Sequence, residues 1–344
     1  MPTSTPGPDA VVSVSVLMAV HNGARFLPTT LASLAALETP GNGVQFVIVD
    51  DGSTDDSPSL LEDFVREQNS LDGRCAVCVR RATSEGLASA LNLGIEHCSA
   101  EFIARADADD LYVADRLLIQ LSAMQKRSEL AALSCGWRRI DENGQPLQTR
   151  IPEQGPDWLA FQMMFMNSLL HPGVMFRRSA VLSVGGYDPA YWTAQDSDLW
   201  ARLVSAGFLV DNIPDCLVDY RVHTKSVTGS RGDKGRILSL TVPGRLQHAY
   251  LGGLPPEHDV KSTVDLYQGF CRMDPAEIKA GLKGLRRIER LAMTRETPDI
   301  LQRFRSRLSR SCSLHARWLR RRAPLLALRL YILAMRWRPV SFSV

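Results

Sequence analysis

The sequence predicts an α/β fold: a mostly parallel sheet flanked by helices, with a basic, helical C-terminal extension. Three observations carry this. Between residues 11 and 141, β-branched apolar runs alternate with stretches of helical period, the rhythm of βαβ units. Polar and acidic residues gather where those runs end, at His21-Asn22, Asp50-Asp51 and Asp107-Asp109-Asp110, and that edge of an open parallel sheet is where ligands bind. Charge is divided unevenly. Residues 281–344 hold 16 Lys and Arg against 3 Asp and Glu, a net of +13, so a chain total of +3 leaves −10 for the first 280 residues.

The elements follow in order. "VVSVSVLMAV" (11–20) reads as a strand, and "HNGARF" turns it into a helix at "LPTTLASLAAL" (27–37), with Pro28 suited to a first turn. "VQFVIVDDGSTDD" (44–56) is a second apolar strand that ends abruptly in acid and Gly, and Ser57-Pro58 opens a helix to about Gln68. "RCAVCVRR" (74–81) is a strand, "GLASALNLGIEHC" (86–98) a helix and "EFIARADADD" (101–110) a strand. "DRLLIQLSAMQKR" (115–127) is a helix and "LAALSCGWRRID" (130–141) a strand. Past residue 150 the rhythm loosens. "DWLAFQMMFMNSLLH" (157–171) reads as a helix, and the segment 172–188 as a short strand, a helix and a Gly-Gly turn. "DSDLWARLVSAG" (196–207) is a helix with Asp at its start and Gly at its end, and 208–223 returns as strands. "GSRGDKG" (229–235) marks a boundary. The expected organisation is a leader over 1–10, an α/β domain over 11–230 and a basic, mainly helical region over 231–344.

The stretch "ARADADD" (104–110) raises a physical problem, because three carboxylates within four positions repel one another. A solvated turn, with Asp110 or Asp115 capping the next helix, is one resolution. A hard divalent cation is the other: Asp107 and Asp109 flank a small residue, and Mg²⁺ or Mn²⁺ takes such oxygen ligands while sharing its shell with phosphates. A second cluster, "VDDGSTDD" (49–56), occupies the equivalent end of an earlier strand. A carboxylate there can accept from a uracil N–H or a ribose hydroxyl.

Eight motifs now stand in one order: "VSVLMAVHNG", "VIVDDGSTDDS", "GLASALNLGI", "ARADADD", "HPGVMFRR", "GGYD", "QDSDLW" and "YRVH". In that order and spacing the chain resembles inverting family-2 glycosyltransferases of the GT-A fold, over about residues 11–230. The resemblance implies a catalytic domain that takes a nucleotide-diphosphate sugar, with UDP favoured, and passes the sugar to a hydroxyl of a saccharide or lipid-linked acceptor. It implies that Ala19, His21 and Asp51 hold the nucleoside, that Asp107 and Asp109 form the metal-binding pair for Mn²⁺ or Mg²⁺, and that Asp196 is the catalytic base. It further implies that His171 lies near the diphosphate, and that Tyr220, Arg221, His223 and Lys225 belong to a segment closing over donor phosphates. Two positions depart from the family pattern: His21 stands where many members carry Tyr, and Gln195 where Glu often precedes the base. Asp196 has a second reading as a helix N-cap, Asp198 is the alternative base, and His171 has a second reading as a half-buried structural histidine. Trp200 reads as packing, and Trp192 as a side chain to stack on an acceptor sugar.

Composition narrows the remaining classes. Hydrophobic residues at 45% and charged residues at 22% are ordinary for a soluble globular protein. Seven cysteines, with Cys75-Ala-Val-Cys78 lacking a second pair, read as buried thiols in a reducing compartment. The leader lacks a basic start and a long apolar core, and no apolar run is long enough to span a bilayer. The expected location is therefore cytoplasmic, peripheral on the inner face of a membrane. Residues 281–344, with Leu, Trp318, Tyr331 and Trp337 interleaved among arginines, suit either an anionic membrane surface or helices packed on the catalytic domain; no nucleic-acid motif appears. Two rivals to the transferase are a nucleotidyltransferase on a related sheet and an inactive nucleotide-sugar-binding module. The first calls for a Gly-rich basic loop that "AVHNGARF" does not match; the second calls for loss of Asp109 or Asp196, and both are present.

Overall fold

The computed structural model describes residues 12–223, 232–254, 258–270 and 273–337; the expected leader, Lys225 and Cys271 lie outside the described residues. β1 (Val14–Val20), α1 (Leu27–Ala35), β2 (Val44–Asp50), α2 (Ser57–Gln68), β3 (Arg74–Arg80), α3 (Leu87–His97) and β4 (Phe102–Asp107) form the βα repeat. β5 (Leu111–Tyr112), α4 (Arg116–Lys126), β6 (Leu130–Ile140), β7 (Pro146–Arg150), α5 (Pro156–Gln162), β8 (Met175–Arg177), α6 (Arg178–Ser183), α7 (Gln195–Ser205) and β9 (Leu209–Arg221) follow. The chain then runs through α8 (Gly232–Leu251), α9 (Val260–Gln268), α10 (Pro275–Arg295), α11 (Pro298–Leu319) and α12 (Pro324–Arg336). Cα packing separates an α/β unit, Met1–Leu159 with Ser168–Gly235, from a helical unit, Ala160–Asn167 with Arg236–Val344.

In the α/β unit the strands lie in the order β3-β2-β1-β4-β8-β6-β9-β5, with β7 paired to β6. Pairing is parallel along β3-β2-β1-β4 and between β6 and β9, while β8 enters antiparallel between β4 and β6. β1 and β2 are almost continuously apolar and buried, as strands covered on both faces must be. A buried seam ties the two halves of the sheet together. Arg116 Nη2 donates to the Arg105 carbonyl at 2.9 Å, and Gln120 Nε2 donates to the Gly173 and Leu133 carbonyls at 2.8 and 3.1 Å. The Gly-Gly turn is also explained: Gly186 has φ +70°, and a Cβ there would sit 2.6 Å from Asn92 Oδ1.

The structure corrects the helix expected over 157–171. α5 ends at Gln162, and His171–Gly173 forms a separate 3₁₀ turn. Of the intervening residues, those up to Asn167 belong to the helical unit, where Phe165 stacks on Tyr267 at 4.1 Å and Gln247 Nε2 donates to the Met164 carbonyl at 2.8 Å. Those partners are distant in sequence, so apolar period alone reads straight through the break. β9 is one strand with irregular register rather than several, and the short β5 and fully exposed β7 give no apolar signal. The described cysteines are free thiols, and burial pushes Cys78 up to about 11 and Cys98 up to about 12.

Candidate active site

Sheet register brings the acidic ends of three strands to one rim. Ala19 on β1 pairs with Asp107 on β4, and Val20 pairs with Asp50 on β2. The loops above them interlock. Asn22, with φ 53°, donates its N–H to Ser53 Oγ at 2.9 Å and accepts from Thr54 N–H at 2.8 Å through Oδ1. His21 is exposed, and its Nδ1 lies 2.8 Å from the Asp51 carbonyl while Asn22 Nδ2 lies 3.1 Å from its Nε2. A carbonyl only accepts, so Nδ1 carries the proton and Nε2 accepts from Asn22.

Asp51 is buried and heavily engaged. Its carboxylate accepts from Ser84 Oγ at 2.7 Å, Gly86 N–H at 2.9 Å, Glu85 N–H at 3.1 Å and Arg81 Nη1 at 3.1 Å. Burial alone would raise its pKa, but these donors outweigh it and hold the carboxyl below the usual range. The expected nucleoside contact must therefore share an acceptor that already anchors the 81–86 loop.

The acids of "ADADD" have three different environments. Asp107, half-buried, pairs with Arg105, which is fully buried and makes no hydrogen bond through its other guanidinium nitrogen atoms. The Tyr112 hydroxyl fixes the backbone there, accepting from Asp107 N–H at 2.5 Å and donating to its carbonyl at 3.1 Å. Asp109 meets His223, whose Nε2 is 2.8 Å from Oδ2. Asp110 is fully buried; Oδ1 accepts from Arg221 N–H at 2.7 Å, and Oδ2 is buried without a hydrogen-bond partner. Burial raises the pKa of Asp107, helped by the charges of Asp109 and Asp196 and opposed by Arg105. Burial and the charges of Asp109 and Asp107 raise Asp110 further. One carboxylate oxygen from each acid lies within 4.8 Å of the others. An orphaned buried oxygen inside a converging oxygen set fits a hard dication. The expected cap roles are corrected: Asp110 is buried in this cluster, and Asp115 stands at the N-cap position of α4 with no side-chain cap bond.

The Arg221 guanidinium is buried, donates from Nε to the Asp109 carbonyl at 2.7 Å and from Nη1 to the Glu142 carbonyl at 3.1 Å, and lies 4.9 Å over the Phe26 ring. Those contacts hold the Asp109 turn in place.

Asp196 sits in the first turn of α7, one residue inside the start, and Ala194 with φ 61° occupies the N-cap. The N-cap reading is thus corrected. Asp198, the alternative base, is buried and bound to Arg202 Nε at 2.7 Å, so its carboxylate serves the fold. His171 is buried, with Nε2 2.8 Å from the Tyr187 hydroxyl and its ring edge-on to Trp200. Trp200 is fully buried, as packing requires, and Trp192 is 55% exposed.

Burial, reinforced by the Arg105 charge, holds His171 well below the ordinary imidazole range. The unfolded ring titrates near pH ~6.5, so below that point the unfolded state binds more protons. Stability is whole above pH ~6.5 and should fall by up to about 1.4 kcal/mol per pH unit as pH drops toward the folded pKa. Urea unfolding between neutral and mildly acidic pH should show this slope, and His171→Gln should flatten it. An unchanged slope in the variant would remove His171 as the cause.

With this geometry in view, comparison with known proteins is decisive. The family model described as Glycosyl transferase family 2 matches residues 15–182. The amylovoran biosynthesis glycosyltransferase AmsE of Erwinia amylovora is 33% identical over 191 residues, covering 56% of this chain and 69% of that protein. The chain belongs to glycosyl transferase family 2. A second relative of this glycosyltransferase is the UDP-Gal:alpha-D-GlcNAc-diphosphoundecaprenol beta-1,3-galactosyltransferase of Escherichia coli, 28% identical over 65% of this chain and 79% of that one. The mannosyltransferase PcManGT of Pyrobaculum calidifontis, solved with GDP-Man and Mn²⁺, shares the fold at TM-score 0.53 and 17% identity, over 96% of this chain and 88% of that one. The GT-A fold of the glycosyltransferase is as the motif order implied, and its family displaces the nucleotidyltransferase rival.

Sequence reasoning missed Arg105, the orphaned oxygen of Asp110, and the Arg81-Ser84-Gly86 cradle around Asp51. Arg105 carried one signal: a lone cation inside an otherwise apolar strand, two residues before Asp107 and on the same face. The other two depend on loop paths that leave no mark in local sequence.

Proposed function

We propose that this glycosyltransferase is a metal-dependent, inverting enzyme that moves a sugar from a UDP-sugar donor to a hydroxyl of a saccharide or lipid-linked acceptor in cell-surface polysaccharide or glycolipid synthesis. The observation that carries it is the convergence of Asp107, Asp109 and Asp110 around a buried oxygen that lacks a partner. Asp109 and Asp110, with Asp107 steadied by Arg105, would hold Mn²⁺ or Mg²⁺. When bound, the ion supplies positive charge against the departing nucleoside diphosphate. His223 and Arg221 keep the Asp109 turn in register. Ala19 and His21 line the rim beside the nucleoside, and Asp51 holds the adjoining loop.

Asp196 takes the proton from the acceptor hydroxyl as its oxygen attacks the anomeric carbon. A base opposite the leaving group gives inversion, hence a β-linked product from an α-linked donor. Trp192 offers an exposed face for the acceptor sugar. His171 acts through Tyr187 as a support beneath the donor diphosphate. The E. coli relative, named for UDP-Gal and a diphosphoundecaprenol-linked acceptor, supports uridine and a lipid-linked substrate. PcManGT, solved with Mn²⁺, supports the metal. A lipid-linked acceptor would place the enzyme at the cytoplasmic face of a membrane, and among the described residues no helix is long and apolar enough to cross one.

A screen of nucleotide sugars with Mn²⁺ and with EDTA, reading released nucleoside diphosphate, tests this. Turnover should appear with a UDP-sugar and fall about a hundredfold or more in EDTA. EDTA-insensitive turnover would refute the metal, retention at the anomeric centre would refute inversion, and no turnover with any donor would favour the inactive binding module.

A further inference from the structure

α12 is apolar on two opposite faces. Leu326, Ala327, Leu330, Leu333 and Ala334 are buried, and Ser309 Oγ on α11 donates to the Ala334 carbonyl at 2.7 Å. The outward side carries Leu325 at 84% exposure, Leu328 at 57%, Ile332 at 53% and Met335 at 49%, with Tyr331 beside them. These positions recur every three or four residues, so they form one stripe along the helix. Single exposed apolar side chains are ordinary, but a continuous stripe marks an interaction surface.

The surroundings identify the partner. Arg329 and Arg336 border the stripe, and Arg317 in the last turn of α11 and Arg320, Arg321 and Arg322 at the turn leading into α12 are exposed. From residue 300 to 344 the chain has 11 Arg and no Asp or Glu. We propose that the outer face of α12 docks on an anionic phospholipid bilayer, its apolar stripe entering the headgroup boundary and the flanking guanidinium groups meeting lipid phosphates. A second copy of the chain fits worse, because a two-fold contact here would oppose two sets of arginines with no acid to pair them. A nucleic acid would leave the apolar stripe in water. The inference deepens the lipid-linked acceptor reading and rests on it only for its purpose; the surface itself stands on exposure and charge.

Flotation of the full chain with vesicles of phosphatidylglycerol or phosphatidylcholine tests the proposal. The enzyme should float with the anionic vesicles and not with the neutral ones, and high salt should weaken binding. The exposed triple variant Leu328→Glu, Ile332→Glu, Met335→Glu should lose about tenfold or more of the bound fraction. Equal flotation of variant and wild type, or absence of flotation with anionic vesicles, overturns the proposal. So does a wild-type dimer in sedimentation that the variant dissociates, since a second copy then covers the face. Metal-dependent release of nucleoside diphosphate in vesicle-free buffer should be the same in both proteins, and it reads the sugar-transfer proposal separately from the docking one.

Discussion

Replacing Asp196 by Asn should lower kcat for sugar transfer by about 10²–10⁴-fold, while donor affinity by calorimetry stays within about threefold. The charge of Asp196 is among those that raise the pKa of Asp107, so the two carboxylates share one electrostatic neighbourhood. Asn keeps the size and the helix position but cannot take a proton from the acceptor. Asp198→Asn should behave differently. That side chain is bound to Arg202, whose other donors hold the Val184 and Gly186 carbonyls at 2.6 and 2.7 Å. Its loss should appear in stability first. Full transfer activity in Asp196→Asn would refute the base, and a parallel loss of donor binding would make Asp196 a donor contact instead.

The second large effect concerns Arg105. It is fully buried, and its ion pair among the described residues is with Asp107. Asp107→Ala would strand a buried guanidinium. Breaking a buried pair from one side costs roughly 3–5 kcal/mol. Because the Asp107 side chain is 30% exposed, its removal admits some water, and the low end, about 3 kcal/mol, is expected. The double variant Arg105→Met, Asp107→Ala removes the stranded charge along with its partner, and its cost should be smaller by about 2 kcal/mol. Urea unfolding of the single and double variants measures the difference. Equal destabilisation in both would mean that Arg105 finds other compensation and that the pair is not what holds the floor of the site.

Much of the α/β unit could be read from residues alone. β1 and β2 lie within the runs read at 11–20 and 44–56, because a strand covered on both faces is apolar at nearly every position; β3, half-buried at the end of the strand order, falls within the run at 74–81. α2 spans Ser57–Gln68, as the Ser-Pro start indicates. The helix read over 157–171 stops at Gln162 because what captures Phe165 is Tyr267, about a hundred positions away, and local period carries no sign of it. The surroundings of Arg221 were hidden for a related reason: only the fold reveals the carbonyls of Asp109 and Glu142 around it.

By itself the sequence determined that acids would crowd the C-terminal ends of parallel strands and that the final stretch would be strongly basic. Both are properties of residue type and local period, which survive whatever the rest of the chain does. Tertiary structure alone decided which acid is tied up by Arg202 and which is left with an unpaired oxygen. It also decided which side of α12 faces outward. Burial and pairing depend on residues far apart along the chain, and no local pattern encodes who their neighbours will be.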